Sequence, residues 1–509
     1  MRMKKQTYIP YVEHEKIRVA VMFQVASYWP SIESFYEACR MDDAVDIRIY
    51  YVDDLAVEKA QMEHSEAFLR ERRLPYEIYS EDRIDAFLPH VALYQPPHDV
   101  LYRNPPALSI HLKRKGIRIL YIPYGIEIAD TADARLAHFY TYVVRNSWRI
   151  YTFSKIMQED YQMYCPNRHA VRATGSPKFD AVCGGDFQRS EEVSKKADGR
   201  KVIVWKMHFP KLIYEGIRQL QVTPYLSEYI RFAEQLQQYQ DLLFVILPHP
   251  IFFSGVMPQQ FAGDVNRLFE TLKRQENAVL DRSDDYRNSL YTADAIMVDR
   301  SALMVEAGLC DVPVLYMRNQ DYEEPLTNAV KSLVDSYEQG TSAEDMASFV
   351  ERFRSNATGD FRTKRAAVLE ASMPFLDGAC GKRILADMKE GIQNETDGRM
   401  RVVFFGAGIV CEHYIRELGI LQNPDYLVLG LSDNNPKKWG TMHAGMRIMP
   451  PEQLKELAFD LLVITTEQNH VPIKQKLVYE LCLDDEKIWR LDVFCEHYFA
   501  KDGMEQGWF

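Results

Sequence analysis

Short unbroken apolar runs recur along the whole chain, each closing on a turn or polar residue and each leading into a helix-period segment. This repeat limits the fold more than any other feature. Ile17–Phe23 (IRVAVMF) is the first, and Val45–Val52, Val91–Tyr94, Arg118–Ile122, Ile150–Phe153 and Val171–Thr174 follow it. Strands without polar alternation are buried on both faces, as when helices cover both sides of a parallel sheet. Helices are expected at Ser31–Arg40 with Ser31 as N-cap, at about Val57–Leu74 and at Leu108–Lys115. A second series opens at Lys201–Trp205 (KVIVW) and continues through Leu242–Leu247, Ala295–Val298 and Val312–Tyr316. Its helices are expected at Thr223–Tyr239, Ala343–Asn356 and Asp360–Phe375. A third series places strands at Arg401–Phe405, Tyr426–Leu431 and Leu461–Thr465, with a helix at Ile409–Leu418. Such alternation specifies doubly wound α/β domains. A chain of 509 residues also exceeds one core. We place domains at 1–175, 176–390 and 400–509, with the polar stretch Gly391–Arg399 as a linker.

Charge and cysteine usage narrow the class. A net charge of −12 argues against a nucleic-acid binder held by phosphate contacts. The eight cysteines are scattered without a CxxC pair, which fits reduced thiols in a cytoplasmic protein and no metal cluster. No apolar run reaches the roughly 20 residues of a membrane span, and no signal peptide is expected, since polar residues follow the basic Met1–Lys5. Met1–Lys5 and Lys113–Lys115 are small basic patches; peripheral contact with an anionic inner membrane face is one reading and ordinary solvated surface the other.

The stretch Asp281–Met317 carries the densest chemistry. An acidic loop and a short amphipathic helix lead to the strand Ala295–Val298, and Asp299-Arg300-Ser301 sits where strand gives way to helix. Ser301 is the expected N-cap of a helix Ala302–Leu309, and Glu306 lies one turn on. Free N–H groups of Ala302 and Leu303, a hydroxyl and a nearby carboxylate suit a nucleotide diphosphate and its ribose. A plain helix cap in an α/β core is the alternative.

Several segments in order resemble the CDP-glycerol glycerophosphotransferases of teichoic-acid and capsule synthesis. Thr174–Asp180 (TGSPKFD) is similar to that family's interdomain segment, Leu247–Pro250 (LPHP) to its strand-end His-Pro, and 283–317 to its nucleotide-binding stretch. The resemblance implies a GT-B fold of two doubly wound Rossmann-like domains. It also implies transfer of glycerol phosphate from CDP-glycerol, or a similar nucleotide-activated donor, to a polysaccharide or lipid-linked acceptor. Two departures stand out. Asp299-Arg300-Ser301-Ala302 lacks one of the family's serines, and Tyr124-Gly125-Ile126-Glu127 stands where the family has His-Gly-x-Pro. Arg300 is a candidate replacement for the lost anion contact.

On that reading Asp299, Arg300, Ser301, Ala302, Glu306, His249, Pro250 and Lys206 hold the donor, and His249, His208, Tyr124 and Glu127 are the catalytic candidates. His98 and His111 are reserve candidates for the base, and Gln95 and Asp99 for acceptor contact. Aromatics at Tyr28, Trp29, Tyr94, Tyr102, Tyr121 and Tyr124 collect at strand ends, part core and part carbohydrate platform. No cofactor or metal is required, although the acidic run Asp281–Asp285 is able to recruit a divalent ion. The last domain resembles small Rossmann-like nucleotide-binding modules of capsule enzymes: Gly406 and Gly408 form its turn and Asp433 ends its second strand, with a dinucleotide as one candidate ligand and a structural or regulatory module as the favoured reading. Two alternatives remain: a nucleotide-sugar-dependent glycosyltransferase on the same fold, and a non-catalytic nucleotide sensor.

Overall fold

The computed structural model describes residues 8–501 except 13, 54, 56–58, 101, 186, 216, 254–256, 282–284, 396–399, 424–425 and 467–468. Met1–Lys5 and the centre of the acidic run Asp281–Asp285 therefore lie outside the described residues, as does the end of the predicted linker. The chain falls into two compact units. One holds 14–160 and 172–388; the other holds 389–509 with 10–13 and 161–171.

The first unit contains two parallel sheets. The N-terminal sheet comprises β1 (Ile17–Phe23), β2 (Val45–Tyr51), β3 (Tyr76–Ile78), β4 (Val91–Tyr94), β5 (Arg118–Tyr121), β6 (Arg149–Thr152) and β7 (Val171–Ala173), in the order β3-β2-β1-β4-β5-β6-β7. The second begins with β8 (Lys201–Met207). After a hairpin of β9 (Leu212–Glu215) and β10 (Arg218–Gln221) it adds β11 (Leu242–Pro248), β12 (Ala278–Leu280), β13 (Ala295–Val298), β14 (Val314–Met317) and β15 (Glu338–Gly340). Its order is β12-β11-β8-β13-β14-β15. Apolar side chains of β8, β11 and β13 pack on the helices Leu226–Ala233, Ala262–Lys273 and Ala343–Arg354 to form its core. Two such domains in tandem make the GT-B fold that the strand pattern implies.

The two domains are joined by specific polar contacts. Asp180, at the start of the helix Pro177–Gly184, accepts from Ser34 Oγ at 2.6 Å and from the N–H groups of Cys380 and Gly381. The helix Cys380–Glu395 then crosses back to the first domain, where Asp387 accepts from Arg149 and Tyr151 at 3.1 and 2.7 Å. That helix corrects the linker prediction: Gly391–Glu395 are its last residues, with Gly391 and Ile392 buried and Gln393 and Asn394 turned to solvent.

Other differences are local. The helix expected from Ser31 begins at Glu33, because a 3-10 turn over Ala26–Ser31 precedes it and Ser31 Oγ bonds the Tyr28 carbonyl at 2.8 Å. Thr223–Tyr239 is a shorter helix, Leu226–Ala233, followed by a 3-10 turn. The edge strands β3, β12 and β15, three residues each, were not expected. The hairpin β9–β10 was not expected either.

The second unit carries β16 (Met400–Phe405), β17 (Tyr426–Ser432), β18 (Met442–His443), β19 (Met446–Met449), β20 (Leu461–Ile464) and β21 (Ile488–Arg490), ordered β18-β19-β17-β16-β20-β21. Apolar clusters on both faces of this sheet give it its own core. All eight cysteines are free thiols, five of them buried. Among the described residues no helix is long and apolar enough to cross a membrane.

Candidate functional site

In the second sheet the strand order reverses between β8 and β13. The crevice outside the carboxyl ends of such a strand pair is where open α/β sheets take ligands. β8 delivers Lys206 and, one residue past its end, His208; β11 delivers His249; β13 delivers Asp299, followed by Arg300 and Ser301. Lys206 lies within β8 rather than after it, in register with Val298 and Leu247.

The two histidines are set in complementary states. His208 Nδ1 lies 2.8 Å from the Phe209 carbonyl and donates to it, which leaves Nε2 as an acceptor. His249 Nδ1 accepts the Ile251 N–H at 3.2 Å, so its proton sits on Nε2. Their rings are 4.7 Å apart. Burial, then Lys206 and Lys211, push the His249 pKa down to about 3, and burial with His249 holds His208 well below the usual imidazole range. Burial also brings Lys206 down to about 8, and Lys211 is lowered by burial and Arg300. Neither lysine ammonium has a hydrogen-bond partner among the described residues. A crevice with two unpaired ammonium groups and an Nε2–H donor offers its free hydrogen-bonding capacity to an anion.

Asp299 takes a different part from the one expected. It is fully buried; the His208 N–H donates to its two oxygens at 2.9 and 2.8 Å, and Tyr229 donates at 2.7 Å. Burial raises its pKa to about 6 against these bonds and Lys206. Asp299 thus fastens β8 to β13 and aims His208. Arg300 is paired with buried Glu324, with Nη2 2.9 Å from Oε1 and Nε on Oε2, so its charge is largely neutralised.

Ser301 is not the N-cap. The helix runs Leu303–Leu309 with Ala302 at the cap position, and Ser301 Oγ accepts from the Leu303 N–H at 3.2 Å. Glu306 has no exposure and does not face a ribose. It accepts from Tyr286 at 3.0 and 2.8 Å and from Tyr291 at 2.9 Å, and it pairs with Lys178 at 2.9 Å. Lys178 belongs to the TGSPKFD segment, so that motif and the acidic residue of the nucleotide stretch meet each other in a buried ion pair. Pro250 is exposed, at the start of a short 3-10 turn.

On the N-domain side, the half-buried Tyr124 packs on Tyr28 with ring centroids 4.1 Å apart, and its N–H bonds the Gln95 carbonyl. Gln95 donates to the Tyr28 carbonyl at 2.6 Å and to Ser31 Oγ at 2.8 Å. Asp99 is buried among Arg103 and Ser109 and is unavailable to an acceptor. Glu127 is buried, and its carbonyl accepts from Thr327 Oγ1 at 2.8 Å. Trp29, Tyr94 and Tyr121 are core. His111 pairs with Glu81 at 2.7 Å, and Lys115, the last residue of the basic patch, pairs with Glu81 and Asp85. His98 stacks on Tyr102 and lies 6.3 Å, ring to ring, from His138. Lys211, Glu324 and His138 are the residues sequence reading did not single out. No local motif marks them, because only the tertiary fold brings them to the crevice.

In the second unit the strand order reverses between β16 and β20. Gly406 there has φ +103°, and a Cβ on it would lie 2.9 Å from Thr465 Oγ1. Asp433 does not point at an open ribose site: it accepts from the Ala407 N–H at 2.9 Å and from Lys438 at 2.8 Å, and these bonds hold its pKa low against burial. Space is open above Gly408. A separate cavity of about 670 Å³ near His470, Tyr479 and Trp489 holds none of the predicted residues.

Comparison with known proteins agrees on the fold. A putative UDP-N-acetylglucosamine 2-epimerase from Listeria monocytogenes is 14% identical with a TM-score of 0.52, covering 74% of this chain and 97% of its own. MnaA from S. aureus, solved with UDP, gives 15% identity, a TM-score of 0.52 and the same coverages of 74% and 97%. The wall teichoic acid polymerase TagF matches at 10% identity and a TM-score of 0.48 over 75% of this chain and 90% of its own, a likeness too loose to bear on function. The family model described as C2185-like, N-terminal, matches residues 398–489, within the second unit. No curated protein matches.

Proposed function

We propose that the chain is a GT-B transferase that takes CDP-glycerol, or a related nucleotide-activated donor, and passes the activated group to a hydroxyl of a polysaccharide or lipid-linked acceptor. The observation that carries this reading is the crevice at the β8/β13 reversal, where Lys206, Lys211 and the Nε2–H of His249 converge with no hydrogen-bond partner among the described residues. Fixed cations and a neutral N–H donor suit a diphosphate whose charge grows as the nucleotide leaves. They neutralise it without a metal, and the proposed transfer needs no dinucleotide. Asp299 and Glu306 contribute by holding strands and tyrosines in place rather than by touching the donor. A peripheral position at a membrane suits a lipid-linked acceptor.

The test is a binding panel of CDP-glycerol, CDP, CMP, UDP- and GDP-sugars, NAD and NADP, read by thermal shift, because a ligand that binds only the folded state raises Tm by mass action. CDP compounds are expected to bind, and His249→Ala together with Lys206→Met to abolish the shift. Binding confined to UDP-sugars moves the reading to a glycosyltransferase, the donor of the second reading. Nucleotide binding without turnover on any acceptor identifies a sensor. A shift from NAD alone sinks the proposal.

A further inference from the structure

We propose that His138 is the general base of the transfer, the group that takes the acceptor proton; the assignment rests on the donor reading above. Three observations place it. First, the segment just before its helix is zipped to the second domain. The Asp130 N–H bonds the Pro325 carbonyl at 2.7 Å, the Thr327 N–H bonds the Ile128 carbonyl at 2.8 Å, and Ala129 pairs with Leu326 as an antiparallel bridge. Pro325 directly follows Glu324, the partner of Arg300. This zipper ties the chain entering the helix Ala132–His138 to the segment that carries Glu324.

Second, the imidazole of His138, half-buried at the end of that helix, has no hydrogen-bond partner among the described residues. Its ring neighbour is His98, and Arg300 and Lys211 lie near enough for their charges to act on it. Tyr124 is by contrast turned onto Tyr28. Third, Lys211 and Arg300 flank the donor crevice, so the histidine stands beside the phosphate that is to be attacked. Burial, with His98, Arg300 and Lys211 nearby, brings its pKa down to about 4, which keeps the lone pair free at neutral pH. A diphosphate beside Lys211 offsets that field and restores basicity as the reaction begins.

The step balances as follows. The acceptor oxygen forms a bond to the donor's glycerol-bearing phosphorus, and the bond from that phosphorus to the bridging oxygen breaks. The nucleoside monophosphate leaves with the electron pair. The acceptor proton passes to His138, which releases it to solvent.

The experiment compares His138→Gln with the wild-type protein for CDP-glycerol affinity and for turnover, read as CMP release to water or to a hydroxyl acceptor. Expected is a kcat at least 100-fold lower, in the range a positioned base supplies, with Kd changed less than threefold and the acidic limb of the pH–rate profile gone. His413→Gln, exposed on the helix Ile409–Glu417 of the second unit, should leave all three unchanged. Undiminished turnover by His138→Gln, or loss of turnover in Tyr124→Phe or His98→Asn instead, overturns the assignment while the donor reading stands. Wild-type binding without turnover overturns it too, since a base then has no proton to take. Failure of every CDP compound to bind the wild-type protein brings down the donor reading itself.

Discussion

Asp299→Asn tests whether the carboxylate at the end of β13 is a fastener buried at a cost. Its pKa stands at about 6 in the folded protein against an ordinary 3.8, with burial as the largest cause. The folded state therefore binds the proton more tightly than the unfolded chain does. Acid stabilises through this group across the window from about pH 6 down to about 4, and above pH 6 the buried charge costs its full amount. Each tenfold in proton affinity is about 1.4 kcal/mol, so the whole window is worth about 3 kcal/mol, of which about 2 kcal/mol falls between pH 4.5 and 7.5. Asparagine keeps an oxygen for the His208 N–H but loses the charge that Tyr229 and Lys206 see, an offset of about 1–2 kcal/mol. Urea unfolding of both proteins followed by tryptophan fluorescence gives the difference in stability at each pH, and groups common to both cancel. The difference, variant minus wild type, should rise by about 2 kcal/mol from pH 4.5 to 7.5. A flat difference, or one that falls with pH, refutes the argument.

Binding of CDP at pH 6 should take up protons, because His249 at about 3 and His138 at about 4 are neutral in the free protein and a diphosphate raises both; calorimetry in two buffers should show affinity strengthening as pH falls from 8 to 5. Arg300→Leu leaves Glu324 buried without its partner and should cost about 3 kcal/mol in chemical denaturation. Adding Glu324→Gln should restore more than half of that loss. Gly406→Ala forces a left-handed backbone and a contact with Thr465, so it should lower the stability of the second unit by about 1–3 kcal/mol, visible as an earlier melting transition.

The fold was legible wherever burial on two faces writes a continuous apolar run. Ile17–Phe23, Val91–Tyr94 and Ala295–Val298 begin and end where the pattern places them, because central strands have no polar positions to blur the signal. The three-residue edge strands β3, β12 and β15 wrote no such run, whereas β7, equally short, did so at Val171–Thr174. The strand ends also located the crevice: Lys206, His208, His249 and Arg300 do gather there. What the sequence does not encode locally is which way a carboxylate turns. Asp299 and Glu306 look like ligand groups in a linear reading, yet each is satisfied by partners 15 to 128 residues away in the chain, Tyr229 and His208 for one, Lys178, Tyr286 and Tyr291 for the other. His138 and Lys211 were invisible for the same reason: they reach the site through a cross-domain zipper and a hairpin that no periodicity announces.

The zipper of Ile128–Asp130 on Pro325–Thr327 has a consequence for how the cleft works. Backbone hydrogen bonds stitch the two domains at that place, and the ion pair of Arg287 with Glu33 at 2.7 Å pins them at another. Two pins leave little freedom for a wide swing of one sheet against the other. The β9–β10 hairpin carries neither pin: its tip residue Ile217 is fully exposed and its base carries Lys211. A cleft held in this way has both of its walls in place before a ligand arrives.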